Sequence, residues 1–255
     1  MLPYFRSMEA FFDLSLPKSW ADLSDPQLLF FFRQLATDKP MAEIQTLCMC
    51  QWANVLVRCR LYGSVYLVQH GKQQATLTLH QSVCAIIALG HLKSFSPYPI
   101  RIRTIGKVRA IAANFQGVPF STFISADNYY QGFLHTKNEA LLGQLATLLS
   151  PKVKSRHLTT PLLLNAFYWF SSLKHYFARL FPHFLQPIFS SSEDLLGYAP
   201  PIGEVLRTAM NAQIRALTGG DITKEEAVLS MDTWRALTEL DAKAKEVEDI
   251  KRQTK

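Results

Sequence analysis

Residues 162–181 read LLLNAFYWFSSLKHYFARLF, and this stretch indicates the class of fold. Ser171, His175 and Arg179 recur every four residues and share one face of a helix, while the remaining face is almost wholly aliphatic and aromatic. Pro182 follows and stops a helix. The pattern predicts a long helix that is buried in a helical bundle. Its aromatic residues and basic edge leave an interfacial membrane helix as the alternative.

Other helix signals precede this stretch. Ser24 and Gln27 form a capping box, Pro40 breaks the helix that begins there, and Thr136 and Glu139 form a second capping box. Apolar residues at helical spacing accompany these signals. Besides the helix that follows Ser24, helices are predicted over residues 41–56, 82–92, 120–135 and 140–150.

Residues 55–81 have a different pattern, in which β-branched and aromatic residues occur in short runs. Gly63 and Gly71 lie between the runs as turn signals. The runs are VLVRCRLY at 55–62, SVYLVQH at 64–70 and ATLTLHQ at 75–81. A small antiparallel hairpin or meander is predicted here, and residues 100–105 are predicted to add a strand to a β element of about 55–109.

Residues 190–203 are rich in Ser, Pro and Gly, which is typical of a linker. After it, helical spacing predicts a helix that ends at Gly219 and Gly220. A third capping box, which begins at Thr223, predicts a final helix to about Gln253. The predicted fold class is α+β, mainly α. The predicted parts are a mainly helical body at 1–189, the linker at 190–203 and a C-terminal helical segment at 204–255.

The sequence shows no pattern of a catalytic, metal or cofactor site. Phosphate-loop, dinucleotide, serine-hydrolase and zinc-protease motifs are absent from it. Residues 51–189 hold only two carboxylates, Asp127 and Glu139, which leaves little for paired acid–base chemistry. The four cysteines lack zinc-site spacing and are predicted to be buried and reduced. We therefore predict no enzyme activity, no catalytic residues, no metal and no cofactor.

Charge is distributed unevenly along the chain. Residues 51–189 carry a net charge of +12, against −2 for residues 1–50 and −3 for residues 190–255. This asymmetry indicates an acidic counterpart, either a polyanion or an acidic protein surface. One hypothesis is therefore a nucleic-acid-binding protein, and the alternative is a plain solvated strand surface. The residues of the most basic local stretch are Arg101, Arg103, Lys107 and Arg109.

Two stretches of the sequence resemble parts of other proteins. FYWFSSLKHYFARLFPHFLQP at 167–187 and IRALTGGDITKEEAVLSMDTWRALTELDAKAKEVEDI at 214–250 resemble uncharacterised proteins of prophages and mobile elements in gut bacteria of the Bacteroides group. The second stretch also resembles the C-terminal part of phage tail assembly chaperones. The resemblance implies a non-enzymatic factor that binds a tail component during virion assembly, in the cytoplasm of the bacterial host cell. The matching residues are Gly219, Gly220, Val228, Asp232, Leu237 and Leu240.

The leading hypothesis is an assembly or interaction protein that binds a protein partner through its final helix. A Trp at a helix surface commonly anchors interfaces, and the alternative is that Trp234 folds back onto the body. The sequence has neither a signal-peptide pattern nor an apolar run of membrane-spanning length, so we expect a cytoplasmic location and no membrane partner. The oligomeric state is not indicated. The predicted partner contacts are Trp234, Leu237, Leu240 and Val247.

Overall fold

The computed structural model describes residues 16–37, 39–185 and 202–253. Within them the fold is α+β and mainly helical, which confirms the predicted class. The chain forms two compact units, Met1–Ser96 and Pro97–Lys255. All but the last two residues of the predicted linker lie outside the described residues, so the division into body, linker and C-terminal segment stays a prediction.

Helices α1 (Asp25–Leu35) and α2 (Met41–Trp52) each contribute three buried hydrophobic side chains to the core of the first unit. The predicted capping box is present, because the backbone N–H of Ser24 donates to Gln27 Oε1 at 2.9 Å. Phe31 is fully buried and meets the ring of Trp20 edge-on at a centroid distance of 5.3 Å. A short 3-10 turn, Trp20–Asp22, precedes α1 and brings this indole into the core.

The predicted meander is also present. Strands β1 (Val55–Tyr62), β2 (Val65–His70) and β3 (Gln73–Thr78) form an antiparallel sheet in the order β1-β2-β3. The turns between them begin with Gly63 and Gly71, whose φ angles are +48° and +58°, where a side chain would be strained. Val68 of β2 and Ala75 and Leu77 of β3 are buried, whereas every residue of the edge strand β1 after Val55 is exposed.

Helix α3 (Leu79–Ala88) follows β3 directly and continues into a 3-10 turn, Leu89–Lys93. The hydroxyl of Thr78 accepts a hydrogen bond from the backbone N–H of Gln81 at 3.2 Å, so the helix starts three residues earlier than predicted. Gln45 is buried and its Nε2 donates to the carbonyl of Leu89 at 2.8 Å. The 3-10 turn is thereby tied to α2.

In the second unit, strands β4 (Thr104–Ile105) and β5 (Val108–Arg109) form a small hairpin. The predicted strand at 100–105 is therefore confined to its last two residues. The reason is that the backbone N–H of Ile102 donates to the side chain of Asn165 at 3.0 Å and not to a neighbouring strand.

Helices α4 (Phe120–Thr136), α5 (Glu139–Leu149) and α6 (Thr160–Leu180) follow. The N-terminal cap of α5 differs from the prediction, because the capping residue is Asn138 and not Thr136. The side-chain oxygen of Asn138 accepts a hydrogen bond from the backbone N–H of Ala140 at 3.0 Å. Helix α6 confirms the long helix predicted over residues 162–181, and its aromatic side chains Trp169, Phe170 and Phe177 are buried. An interfacial membrane helix, the alternative for this stretch, would expose these aromatic side chains, and here they are buried.

The remaining helices are α7 (Ile202–Thr218), α8 (Glu225–Ser230) and α9 (Thr233–Gln253). Helix α7 ends at Gly219 and Gly220 as predicted, and both glycines have positive φ. The single helix predicted after Thr223 is wrong, because the chain leaves the helix between α8 and α9. There the carboxylate of Asp232 accepts from the backbone N–H of Trp234 at 2.9 Å and starts a new helix.

The core of the second unit is mainly aromatic. Phe170 of α6 lies 6.1 Å from both Phe115 and Phe123, measured between ring centroids. Tyr130 reaches the same cluster, and its hydroxyl is 2.7 Å from the hydroxyl of Ser171, which satisfies two buried polar groups. Helices from both ends of the unit contribute to this one core.

A short clamp joins the start of α4 to the start of α9. The backbone N–H of Phe120 donates to the carbonyl of Met231 at 2.8 Å, and that of Thr233 donates to the carbonyl of Val118 at 2.9 Å. The second carboxylate oxygen of Asp232 accepts from the backbone N–H of Gly117 at 2.6 Å. The C-terminal helices are thus held by backbone hydrogen bonds as well as by apolar packing.

Candidate interaction surfaces

Two predicted partner contacts lie in the core of the second unit. Leu237 and Leu240 are 0% and 3% exposed. Val247, further along α9, is 49% exposed. The structure therefore separates these residues and leaves only the last at the surface.

The indole of Trp234 turns toward the body of the unit. Its Nε1–H donates to the carbonyl of Asn114 at 2.7 Å, and its ring meets Phe177 edge-on at 5.7 Å. This is the arrangement that the sequence left open as the alternative to a surface anchor. A side chain satisfied in this way contributes to stability and offers little free surface.

The four basic residues of 101–109 have different surroundings. Arg101 points inward, where its Nε donates to the carbonyl of Ile111 at 2.6 Å and its guanidinium lies 5.6 Å from the centroid of the Trp169 ring. Arg103 is exposed just before the β4–β5 hairpin, and Lys107 and Arg109 are exposed on it. They are therefore better placed than Arg101 to meet a ligand.

Lys107 also lines a groove that sequence reasoning missed. The groove has a volume of about 350 Å³ and lies between the hairpin and residues 152–157. Lys152 and Lys154 are exposed and the intervening Val153 is buried, so the two ammonium groups point away from the core. The residues that line this basic groove are Ile105, Gly106, Lys107, Val108, Lys152, Val153, Lys154, Arg156 and His157.

No carboxylate lines the basic groove, and the carboxylates of residues 97–185 are those of Asp127 and Glu139 alone. Asp127 is already paired with Lys174, at 2.9 Å between its carboxylate and the ammonium. Lys152, Lys154 and Arg156 alternate with other residues, and this spacing could have indicated a basic strip from the sequence. The sequence could not show that the strip lies next to the β4–β5 hairpin.

A second surface lies on the first unit. Eight of the fourteen large hydrophobic side chains that are exposed in the described part of the chain belong to this shorter unit. They are Leu56, Val57, Leu61, Tyr62, Leu79, Val83, Ile87 and Phe95. Residues 51–96, which hold them all, contain no Asp or Glu.

Three of these side chains form a row on α3. Leu79, Val83 and Ile87 are 53%, 43% and 70% exposed and follow one another at intervals of four residues. Residues four apart lie on the same helix face, so the row is a continuous apolar stripe about two turns long. We call it the α3 stripe. The opposite side of the helix carries Ala85, which is buried.

Of the four cysteines that were predicted to be buried, one is buried and Cys50 is half-buried. Cys48 is buried, and burial raises the pKa of its thiol to about 12, which makes it a poor nucleophile. Cys59 and Cys84 are exposed, contrary to the prediction. The Sγ atom of Cys84 lies 3.7 Å from Nε2 of His80, one turn earlier on α3.

Among the described residues, His, Cys, Asp and Glu side chains form no group of three or more that could hold a metal ion. No helix in the described ranges is both long and apolar enough to cross a bilayer. Comparisons of the chain with protein-family models, with curated proteins and with solved structures gave no match.

Proposed function

We propose that this chain acts by binding rather than by catalysis, and that it holds a helix of a partner protein on the α3 stripe. The observation that carries the proposal is the exposure of Leu79, Val83 and Ile87 in one row. Monomeric proteins rarely leave contiguous apolar surface of this kind uncovered, and such patches mark interaction sites. A helix recognises a helix through apolar side chains at intervals of three and four residues.

The charge of the segment that holds the stripe indicates the chemistry of the partner. Residues 51–96 carry four cations, Arg58, Arg60, Lys72 and Lys93, and contain no carboxylate. A partner helix with Asp or Glu beside its apolar row would be attracted to this surface. A second copy of the chain would bring like charges together, so self-association through α3 is disfavoured.

The sequence resemblance supports the same class of function. A factor of the tail-assembly type binds a virion component in the bacterial cytoplasm, and binding of a helix by an open apolar stripe suits that role. The proposal differs from the contact predicted on α9 because Leu237 and Leu240 are occupied in the core. It assigns the partner contact to α3.

Photocrosslinking from α3 tests the proposal. Ile87→p-benzoylphenylalanine, produced together with the other proteins of the same mobile element, should yield one crosslinked product that contains a virion protein. Ile222→p-benzoylphenylalanine is the matched control, because Ile222 is 79% exposed but lies in the second unit. The same products from both positions, or none from position 87, would contradict a contact on α3.

A designed peptide gives an independent measurement. The probe is a labelled helix of about three heptads with Leu at the a and d positions and Glu at the e and g positions. We expect it to bind, and Ile87→Glu to weaken binding about tenfold or more, because apolar burial is lost and a like charge is added. Ile222→Glu should leave binding unchanged. Equal binding of a peptide with Lys in place of Glu would rule out the proposed charge complementarity.

A further inference from the structure

The basic groove of the second unit has the features of a site for several phosphate groups. Lys107 stands on its hairpin wall, and Lys152, Lys154 and Arg156 stand on the opposite wall. Arg156 is held by a hydrogen bond from its Nε to Nε2 of His157 at 3.3 Å. Cations on two walls of an open groove can contact a chain of anions that runs between them.

The groove is a poor match for a membrane or a protein partner. No large hydrophobic side chain between residues 99 and 179, all of which are described, is exposed. A membrane surface is held by apolar anchors in addition to basic charge, and a protein interface usually has an apolar or aromatic centre. Phosphate contacts need neither of these.

We propose that the basic groove binds the sugar–phosphate backbone of a nucleic acid. Lys and Arg neutralise phosphates and release the counterions that surround a nucleic acid, which is the main source of sequence-independent affinity. The groove has no exposed aromatic side chain on which a base could stack. The binding is therefore independent of base sequence. It is also independent of the α3 stripe, so either proposal can fail alone.

The fold explains why these cations come together. Gly106 has a φ of +62° and starts the two-residue turn of the hairpin, which places Lys107 at its tip. Val153 is buried and anchors the opposite wall, so Lys152 and Lys154 are held outward on either side of it.

The test is fluorescence anisotropy of the full chain with labelled single-stranded RNA, single-stranded DNA and duplex DNA of mixed sequence. Salt should be varied from about 50 to 200 mM, since phosphate contacts make affinity fall steeply over that range. The triple variant Lys152→Ala, Lys154→Ala, Arg156→Ala should lose at least about tenfold in affinity. Its log–log salt slope should be shallower by about 2 for single strands, which is the release expected for three phosphates.

The matched control is the triple variant Lys72→Ala, Lys93→Ala, Arg207→Ala, which removes the same charge from exposed positions outside the groove. It should retain the wild-type slope. Equal losses in both triple variants would overturn the proposal, because the attraction would then be that of the net charge alone. Absence of salt-dependent binding by the wild type would overturn it as well. So would sedimentation with vesicles of phosphatidylglycerol and phosphatidylcholine without binding to any of the three nucleic acids.

Discussion

The two units differ in how much apolar surface their helices leave exposed. In the second unit, aromatic rings such as Phe170 and Phe177 are fully buried, and even the C-terminal helices add Leu237 to the same core. In the first unit, Leu79 and Ile87 remain at the surface although α3 is mostly apolar. Burial in the second unit stabilises a fixed arrangement, whereas exposure in the first unit leaves free energy to be gained on binding.

Truncation of the aromatic core should give the largest effect. We expect Phe170→Ala to lower the free energy of unfolding by about 3–5 kcal/mol, because the ring is fully buried among other rings and leaves a cavity. Urea denaturation followed by tryptophan fluorescence measures this change. Val247→Ala on the exposed side of α9 is the control and should cost less than about 0.5 kcal/mol. Similar losses in the two variants would mean that the second unit does not rely on its core.

Removal of the clamp should have the next largest effect. Asp232→Ala deletes both the cap of α9 and the acceptor for the Gly117 backbone, and we expect a loss of about 1–2 kcal/mol in the free energy of unfolding. Asp232→Asn keeps an oxygen for the cap and should lose less. Denaturation of the two variants side by side gives the comparison, and an equal loss in both would show that the carboxylate charge matters more than the cap geometry.

The first unit should respond to acid through His91. Burial lowers the pKa of this imidazole from its ordinary value of 6.5. The unfolded chain therefore takes up the proton first, so stability is complete above about pH 6.5 and is lost as the pH falls from there through the lowered pKa of the folded state. The slope is at most about 1.4 kcal/mol per pH unit.

Denaturation curves between pH 7.5 and pH 5 measure this slope through the fluorescence of Trp20, whose indole N–H donates to the carbonyl of His91 at 2.9 Å. His91→Gln should remove the slope. His80→Gln, on the exposed side of α3, should keep it. A slope that survives His91→Gln would assign the acid response to another group.

The smallest effect is expected on the α3 stripe itself. Ile87→Ser should change the free energy of unfolding by no more than about 0.5 kcal/mol, because the side chain it replaces is 70% exposed. The same denaturation assay measures it. A loss of several kcal/mol would show that Ile87 belongs to a core, and the contrast between the two units would then fail.

Local signals predicted the elements well. Helix α6, the capping box at Ser24, the meander and the end of α7 at Gly219 all follow from spacing, caps and glycines that lie close together in the sequence. The strand expected at 100–105 is shorter than predicted because the backbone N–H of Ile102 donates to the side chain of Asn165, more than sixty residues away in the chain. Such a contact is decided by packing and leaves no local pattern.

The candidate surfaces were harder to predict for the same reason. A pattern of apolar residues on a helix states which side is apolar but not whether that side is covered, so Leu237 and Ile87 looked alike in the sequence. The charge excess in residues 51–189 covers the segment that lines the basic groove. It named Arg101, which turns inward, and missed Lys152 and Lys154 on the far wall of the groove.

The clamp also sets an order of events during synthesis. Gly117 and Asp232 are 115 residues apart in the chain, and a ribosome adds about 5–20 residues per second, so roughly 6–23 s separate their appearance. The backbone of the first unit is complete before that interval begins. During this interval, Phe120 and the helices beside it lack the C-terminal helices that complete their core. The nascent second unit therefore exposes aromatic surface to the cell's folding machinery, while the first unit has already had time to fold.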